Sequence, residues 1–168
     1  RANILLTNAL EAPGTTHESF DFISAALAEE AKTASKFKSQ SPFTVIVGNP
    51  PYASLSANLT PEMRRIVDPY RSVDGEKIVE RSMLQFEKNI QDDYIKFLRI
   101  AEKEVEGKFG VISLITNHGY LAAPTLRGMR SSFAGNFNFL DFVDLHGNSN
   151  KNEAKQVGRE DKNVFPIK

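Results

Sequence analysis

The chain has 168 residues, 40% hydrophobic and 25% charged, with 21 basic and 21 acidic side chains and a formal net charge of zero, as expected of one globular domain. It contains no Cys, which excludes a disulfide framework, a thiolate zinc site and a cysteine nucleophile; His17, His118 and His146 are too scattered for metal-ligand spacing. No run approaches the roughly 20 apolar residues of a membrane span, and neutrality argues against an isolated, strongly electrostatic nucleic-acid binder.

The first strand-like run is residues 4–7. Thr15 to Glu18 then fits a capping box, with Thr15 as N-cap and Glu18 at the third helical position. Behind it Phe20, Ile23, Leu27 and Ala31 recur at three- and four-residue steps and predict one apolar helix face. Residues 43–47, rich in β-branched side chains, predict a second strand of ordinary length. The stretch 54–89, with two prolines and charges of both signs, breaks the rhythm and reads as an insertion, partly mobile. A helix is predicted over about 92–104 with Tyr94, Leu98, Ala101 and Val105 on its buried stripe. A third strand follows at 109–115. A third helix starts at Pro124, a favoured first position, and carries Leu126, Met129 and Phe133 inward. Gly128 inside it costs roughly 1 kcal/mol relative to Ala. Residues 139–145 predict the last strand, and the polar segment 148–163 a loop.

Strands alternating with helices predict a parallel α/β sheet. In such sheets ligands gather at the carboxyl ends of the strands. Three strand ends carry distinctive residues there: Thr7-Asn8, Gly48-Asn49-Pro50-Pro51-Tyr52 and Thr116-Asn117-His118-Gly119-Tyr120. The second is the strongest signal. Two consecutive prolines cannot donate to a ladder, so the strand must stop. Asn49 and Pro50 each precede a proline and are driven toward extended geometry. The result is a stiff loop with an amide at its base and an aromatic ring at its tip. A rigid strand-terminating turn with Tyr52 packed nearby is the plainer reading of the same residues.

That loop resembles the fourth motif, Asn-Pro-Pro-Tyr, of the amino-methyltransferases that use S-adenosylmethionine. Ala28-Glu29-Glu30-Ala31, residues 41–48, Asp93 to Phe97, Ile115 to Leu121, Thr125 to Arg130 and Asp144 to Ser149 narrow the similarity to the adenine-N6 methyltransferase domain of Type ISP single-chain restriction–modification enzymes. The resemblance implies an incomplete Rossmann-like methyltransferase sheet with flanking helices. It implies that residues 1–168 are a partial methyltransferase domain running from the third motif onward, with 54–89 an insertion. S-adenosylmethionine is then the methyl donor, and the partners are double-stranded DNA with a flipped adenine and the remaining domains of a parent chain. A cytoplasmic location without a membrane partner is expected.

Carried over residue by residue, the resemblance assigns Asn49 and the Pro50 carbonyl to accept the two N–H bonds of the target amine, Pro51 to stiffen the loop, and Tyr52 to stack on the base. Thr7 and Asn8 match the third motif, whose polar residue lies near the cofactor's adenine; capping the strand end is the alternative for Asn8. Phe165 resembles the eighth motif, whose aromatic presses edgewise on the flipped base, with core packing as its alternative. His118 and His146 follow strands in motif positions, where loop hydrogen bonding is the plainer role. Arg127 and Arg130 lie near one helix face, facing phosphate or simply solvent. No glycine-rich first motif, no acidic second motif and no target-recognition domain is found in these residues. Both ends fall next to apolar runs, where a natural domain end is usually polar and loose, so a piece of a longer protein is expected. The isolated piece should then bind cofactor poorly and should not select a DNA sequence. A protein-glutamine or RNA-adenine methyltransferase and a catalytically silent DNA-binding or assembly module are the competing readings.

Overall fold

The computed structural model describes residues 4–10, 24–40, 43–52, 56 and 58–145. Helix α1, Ser24–Gln40, precedes strand β1, Val45–Gly48. A short helix α2, Pro61–Arg65, a 3-10 turn, Asp68–Arg71, and a hairpin of β2, Ser72–Val73, with β3, Glu76–Lys77, lead to helices α3, Met83–Ile90, and α4, Asp93–Val105. Strand β4, Val111–Leu114, the single turn α5, Gly119–Ala122, and helix α6, Arg127–Asn136, complete the described order. The chain is α/β: β1 and β4 pair in parallel, Val45 opposite Val111 and Gly48 opposite Leu114. Their crossover carries α2, the hairpin, α3 and α4, since parallel neighbours need a long connection.

Local chemistry accounts for the helix starts. Thr60 Oγ1 accepts from the Met63 amide at 3.2 Å ahead of Pro61, and Ser82 Oγ accepts from Gln85 at 3.4 Å. Asp92 Oδ1 accepts from Tyr94 N at 3.3 Å; each side chain satisfies an amide the helix leaves open. In the hairpin, Asp74 and Gly75 take positive φ (52° and 83°), the twist that a two-residue turn between antiparallel strands requires.

The helix predicted over 92–104 is α4, and Tyr94, Leu98, Ala101 and Val105 are all buried. The helix predicted from Pro124 begins as a 3-10 turn, Pro124–Leu126, and continues as α6 with Met129 and Phe133 buried. Residues 54–89, read as an insertion, supply much of the core: Val67, Tyr70, Ile78 and Phe86 pack with Ile90, Ile95, Met129 and Phe133.

Other expectations are corrected. Residues 4–7 and 139–145 form no strand; Ile4 is 90% and Phe139 88% exposed. An apolar β-branched run becomes a strand only beside a partner ladder, and among the described residues neither segment has one. The segment 4–10 is instead fastened to α1, where Glu30 Oε1 accepts from Leu6 N at 2.5 Å and Lys38 Nζ donates to the Asn8 carbonyl at 2.6 Å. The first helix is described over Ser24–Gln40, extending past Ala31 at its carboxyl end. Its expected face is not buried at Leu27, 46% exposed, or at Ala31, whereas Ala34 is buried. The capping box at Thr15 to Glu18, with Phe20 and Ile23, and the loop 148–163 lie outside the described residues.

Candidate active site

Because β1 and β4 run in parallel, their carboxyl ends emerge on the same edge, and the loops after them lie side by side. Ile115 N donates to the Gly48 carbonyl at 3.0 Å, extending the ladder by one bond. There the prolines end β1. The Tyr52 hydroxyl lies 2.9 Å from the Ile115 carbonyl and 3.1 Å from Asn49 Oδ1. A phenol carries one proton, so the two oxygens share it and the carbonyl is the nearer. Tyr52 thus ties the Asn49-Pro50-Pro51-Tyr52 loop to the end of the neighbouring strand. Asn49 and Pro51 are exposed, Pro50 buried and Tyr52 half-buried.

A row of aromatic rings continues from this loop through buried Tyr94 and Tyr120 to exposed Phe142. The Tyr52 and Tyr94 centroids are 6.1 Å apart at 49°, Tyr94 and Tyr120 6.5 Å, and Tyr120 and Phe142 6.4 Å. The separations are those of interacting aromatic pairs. Burial raises the pKa of Tyr52. Burial, and secondarily the negative charge of Asp92, drives Tyr94 higher still. Both are therefore neutral phenols at physiological pH, able to hold hydrogen bonds but not to act as bases.

The second loop is shaped by Asn117, whose Oδ1 accepts from Gly119 N at 2.6 Å and starts α5. A Cβ at Gly119 would lie 2.9 Å from that oxygen, so the close turn favours glycine. His118 is exposed at the head of this turn.

Asn8 lies on the segment beside α1. Its Oδ1 accepts from Leu10 N at 3.1 Å and its Nδ2 donates to Asn58 Oδ1 at 3.4 Å. Thr7 is exposed beside it. The structure thus joins Asn49 directly to Tyr52, and links Asn8 to the other side of the first turn of α4 by way of Asn58. Phe165 and His146 lie outside the described residues. Arg127 and Arg130 are committed to the fold: Arg127 pairs with Glu80, and Arg130 Nη1 donates to the Tyr120 and Ala123 carbonyls at 2.7 and 2.8 Å. Neither is placed simply to meet phosphate.

Sequence reasoning singled out Tyr94 as a core residue and missed that it backs Tyr52. Asp93 and Lys96 stood in the block Asp93 to Phe97 that carries the resemblance, but their burial, 6% and 0% exposed, was not read there. The available signal was a charge pair three residues apart, within the most regular apolar stripe of the chain. Among the described residues no group of three or more His, Asp or Glu could hold a metal ion, and no helix is long and apolar enough to cross a membrane.

Comparison with known proteins supplies what geometry alone does not. The profile of the Eco57I restriction-modification methylase family matches residues 6–151. The chain belongs to the Eco57I restriction-modification methylase family. The match runs from the segment holding Thr7 and Asn8, through the Asn49–Tyr52 loop and α4, to beyond the last described residue. This places the chain in a restriction-modification methyltransferase family. No curated protein and no solved structure matches it.

Proposed function

We propose that this chain is part of a DNA methyltransferase that transfers a methyl group to N6 of an adenine flipped out of double-stranded DNA, within a restriction–modification enzyme of the Type ISP kind. The observation that carries this reading is the loop at the carboxyl edge of β1: an exposed Asn49 amide, a following Pro50 carbonyl, and Tyr52 tied to the end of β4.

An exocyclic amine conjugated to a ring is a poor nucleophile. Two oxygen acceptors, Asn49 Oδ1 and the Pro50 carbonyl, hold its two N–H bonds and favour a more pyramidal nitrogen with an available lone pair. The Asn49 oxygen suits this role because its present partner is the shared and longer of two hydroxyl contacts, which an incoming amine replaces. Half-buried Tyr52 offers a ring on which the base stacks, a contact worth roughly 1–3 kcal/mol. Bound S-adenosylmethionine supplies the methyl group. On transfer the new N–C bond would form as the S–CH₃ bond breaks, and the alkylated nitrogen would give up its proton to water, so this chain need supply no strong base. Asn8 and Thr7 fit the cofactor side, since the exposed Asn8 amide keeps a second N–H and a second lone pair beyond those spent on Asn58 and Leu10. Phe165 completes the assignment as a second contact to the base.

In the same reading the fold is the later part of a Rossmann-like sheet, residues 54–89 are an insertion into it, and cofactor cradle and DNA selection come from other parts of a larger cytoplasmic enzyme.

The test is to incubate the full-length protein with labelled S-adenosylmethionine and mixed-sequence duplex DNA, then measure N6-methyladenine by mass spectrometry. We expect product from the natural protein and a loss of well over about tenfold in Asn49→Ala, because one of two acceptors for the reacting amine has gone. Label on protein or RNA, with none on DNA adenine, would mean that the substrate is wrong. No label on any acceptor would point to a silent module.

A further inference from the structure

The first turn of α4 contains a charge pair buried on one helix face. Asp93 and Lys96 are three residues apart, 6% and 0% exposed, with Nζ 3.8 Å from Oδ1. Lys96 Nζ donates to Ser56 Oγ and to the Asn58 carbonyl, each at 2.7 Å. Ser56 Oγ donates to Asp93 Oδ1 at 2.5 Å, Asn58 Nδ2 donates to Asp93 Oδ2 at 3.2 Å, and Asn58 N donates to Ser56 Oγ at 3.0 Å. The Ser56 hydroxyl, with one proton and two lone pairs, is fully used.

A buried ion pair of this kind is a weak way to gain stability, because taking both charges out of water offsets most of their attraction and apolar residues of similar volume often do better. What it does impose is geometry, since each of these hydrogen bonds is directional. The object it holds is the segment just after the Asn49–Tyr52 loop, and through Asn58 Oδ1 that segment meets Asn8 Nδ2. The very next residue to Asp93 is Tyr94, whose ring packs on Tyr52. One helical turn therefore touches the two halves of the site by adjacent side chains.

We propose that Asp93 and Lys96 are positioning residues: through Ser56 and Asn58 they fix the Asn8 side of the site relative to the Asn49–Tyr52 loop, so that methyl donor and acceptor amine are held in reacting register. The inference rests on the methyl-transfer reading above and deepens it. Neither residue touches substrate; both act through Asn58. When two bound reactants must meet in line, small errors in relative placement lower the rate of the bound complex more than they weaken binding of either reactant.

The decisive variant is Asn58→Ala in the full-length protein. It removes the side-chain link between Asp93 and Asn8 at a half-buried site and leaves the Lys96 contact to the backbone carbonyl in place. We expect kcat to fall on the order of tenfold, with KM for S-adenosylmethionine nearly unchanged and the melting temperature lowered modestly, since buried Asp93 loses one donor and keeps Ser56 and Lys96. Hydrogen–deuterium exchange should quicken at residues 4–10. Lys96→Met, which leaves Asp93 buried beside an apolar side chain, should show the same kinetic signature together with a lower melting temperature. A kcat per folded molecule equal to that of the natural protein would overturn the proposal, as would unchanged exchange at residues 4–10 in Asn58→Ala. If the natural protein transfers no methyl group to DNA, RNA or protein, the methyl-transfer reading fails and the proposed register with it. The exchange result then still tells whether Asn58 holds the Asn8 segment.

Discussion

Gly128 and Tyr52 each turn on a few atoms. A Cβ at Gly128 would stand 2.1 Å from the Tyr70 carbonyl oxygen and 2.8 Å from its carbon. Both are backbone atoms of the 3-10 turn, so neither can swing away. In an open helix Gly→Ala gains about 1 kcal/mol, but forcing a methyl against fixed backbone costs about 1–3 kcal/mol or more. We expect Gly128→Ala to lower the melting temperature by several degrees, as read by circular dichroism. From the sequence this glycine looked only like a weakness in a helix, because its reason lies at residue 70. Tyr52 is the opposite case, legible locally because two prolines dictate the loop around it. Its hydroxyl ties that loop to Ile115. Tyr52→Phe keeps the ring and removes the tie, about 1 kcal/mol of placement, so kcat should fall roughly fivefold. A rise in kcat instead would mean that the hydroxyl mainly competes with the substrate for Asn49.

Helix α4 shows what periodicity reveals and what it conceals. Its apolar stripe announced the helix to within a residue at each end. Nothing in that stripe tells that Lys96, Arg99 and Glu102 are buried as well: Arg99 pairs with Glu102 and Glu106 close by in the chain, but Lys96 and Glu102 also depend on partners from distant segments. Glu102 has four. Tyr70 Oη donates to it at 2.7 Å, Ser132 Oγ at 2.6 Å and Asn136 Nδ2 at 2.7 Å, while Arg99 Nη1 pairs with it at 2.9 Å. These tie α4 to the 3-10 turn and to α6. Removing one partner of a buried pair strands the other, so Glu102→Ala should cost about 3–5 kcal/mol in urea unfolding. Glu102→Gln, which keeps acceptor and shape, should cost clearly less. The strands teach the same lesson from the other side. Residues 43–47 and 109–115 read as strands, and β1 and β4 lie within them. Residues 4–7 and 139–145 carry an equal local signal and form none, since pairing is a property of neighbours in space. In 54–89 the prolines and charges masked Val67, Tyr70, Ile78 and Phe86, whose burial depends on helices that come later in the chain.

Across the whole molecule, burial of phenols sets a response to alkali. Tyr52, Tyr70 and Tyr94 have raised pKa values. For each the first cause is burial; for Tyr70 the Glu102 carboxylate and the hydrogen bond to it add to the rise, and Arg99 opposes it. A group whose folded pKa lies above its unfolded value contributes stability that is complete below the unfolded pKa, here about 10, and is lost as pH climbs toward the folded value. Unfolded tyrosines release protons that the folded chain must keep. Lys96 acts in the reverse sense: burial lowers its pKa, partly opposed by Asp93. Its contribution therefore improves as pH rises toward the ordinary lysine value of about 10.4 and is level above it. The two effects together predict a melting temperature that holds or rises up to about pH 10 and falls beyond it. Tyr70→Phe separates them. That variant should start less stable, because Glu102 loses a donor, yet decline less steeply above about pH 10 than the natural chain. Melting curves across the alkaline range, with phenolate absorbance followed alongside, read both slopes. Equal slopes in the two proteins would mean that the buried phenol against Glu102 is not what alkali attacks.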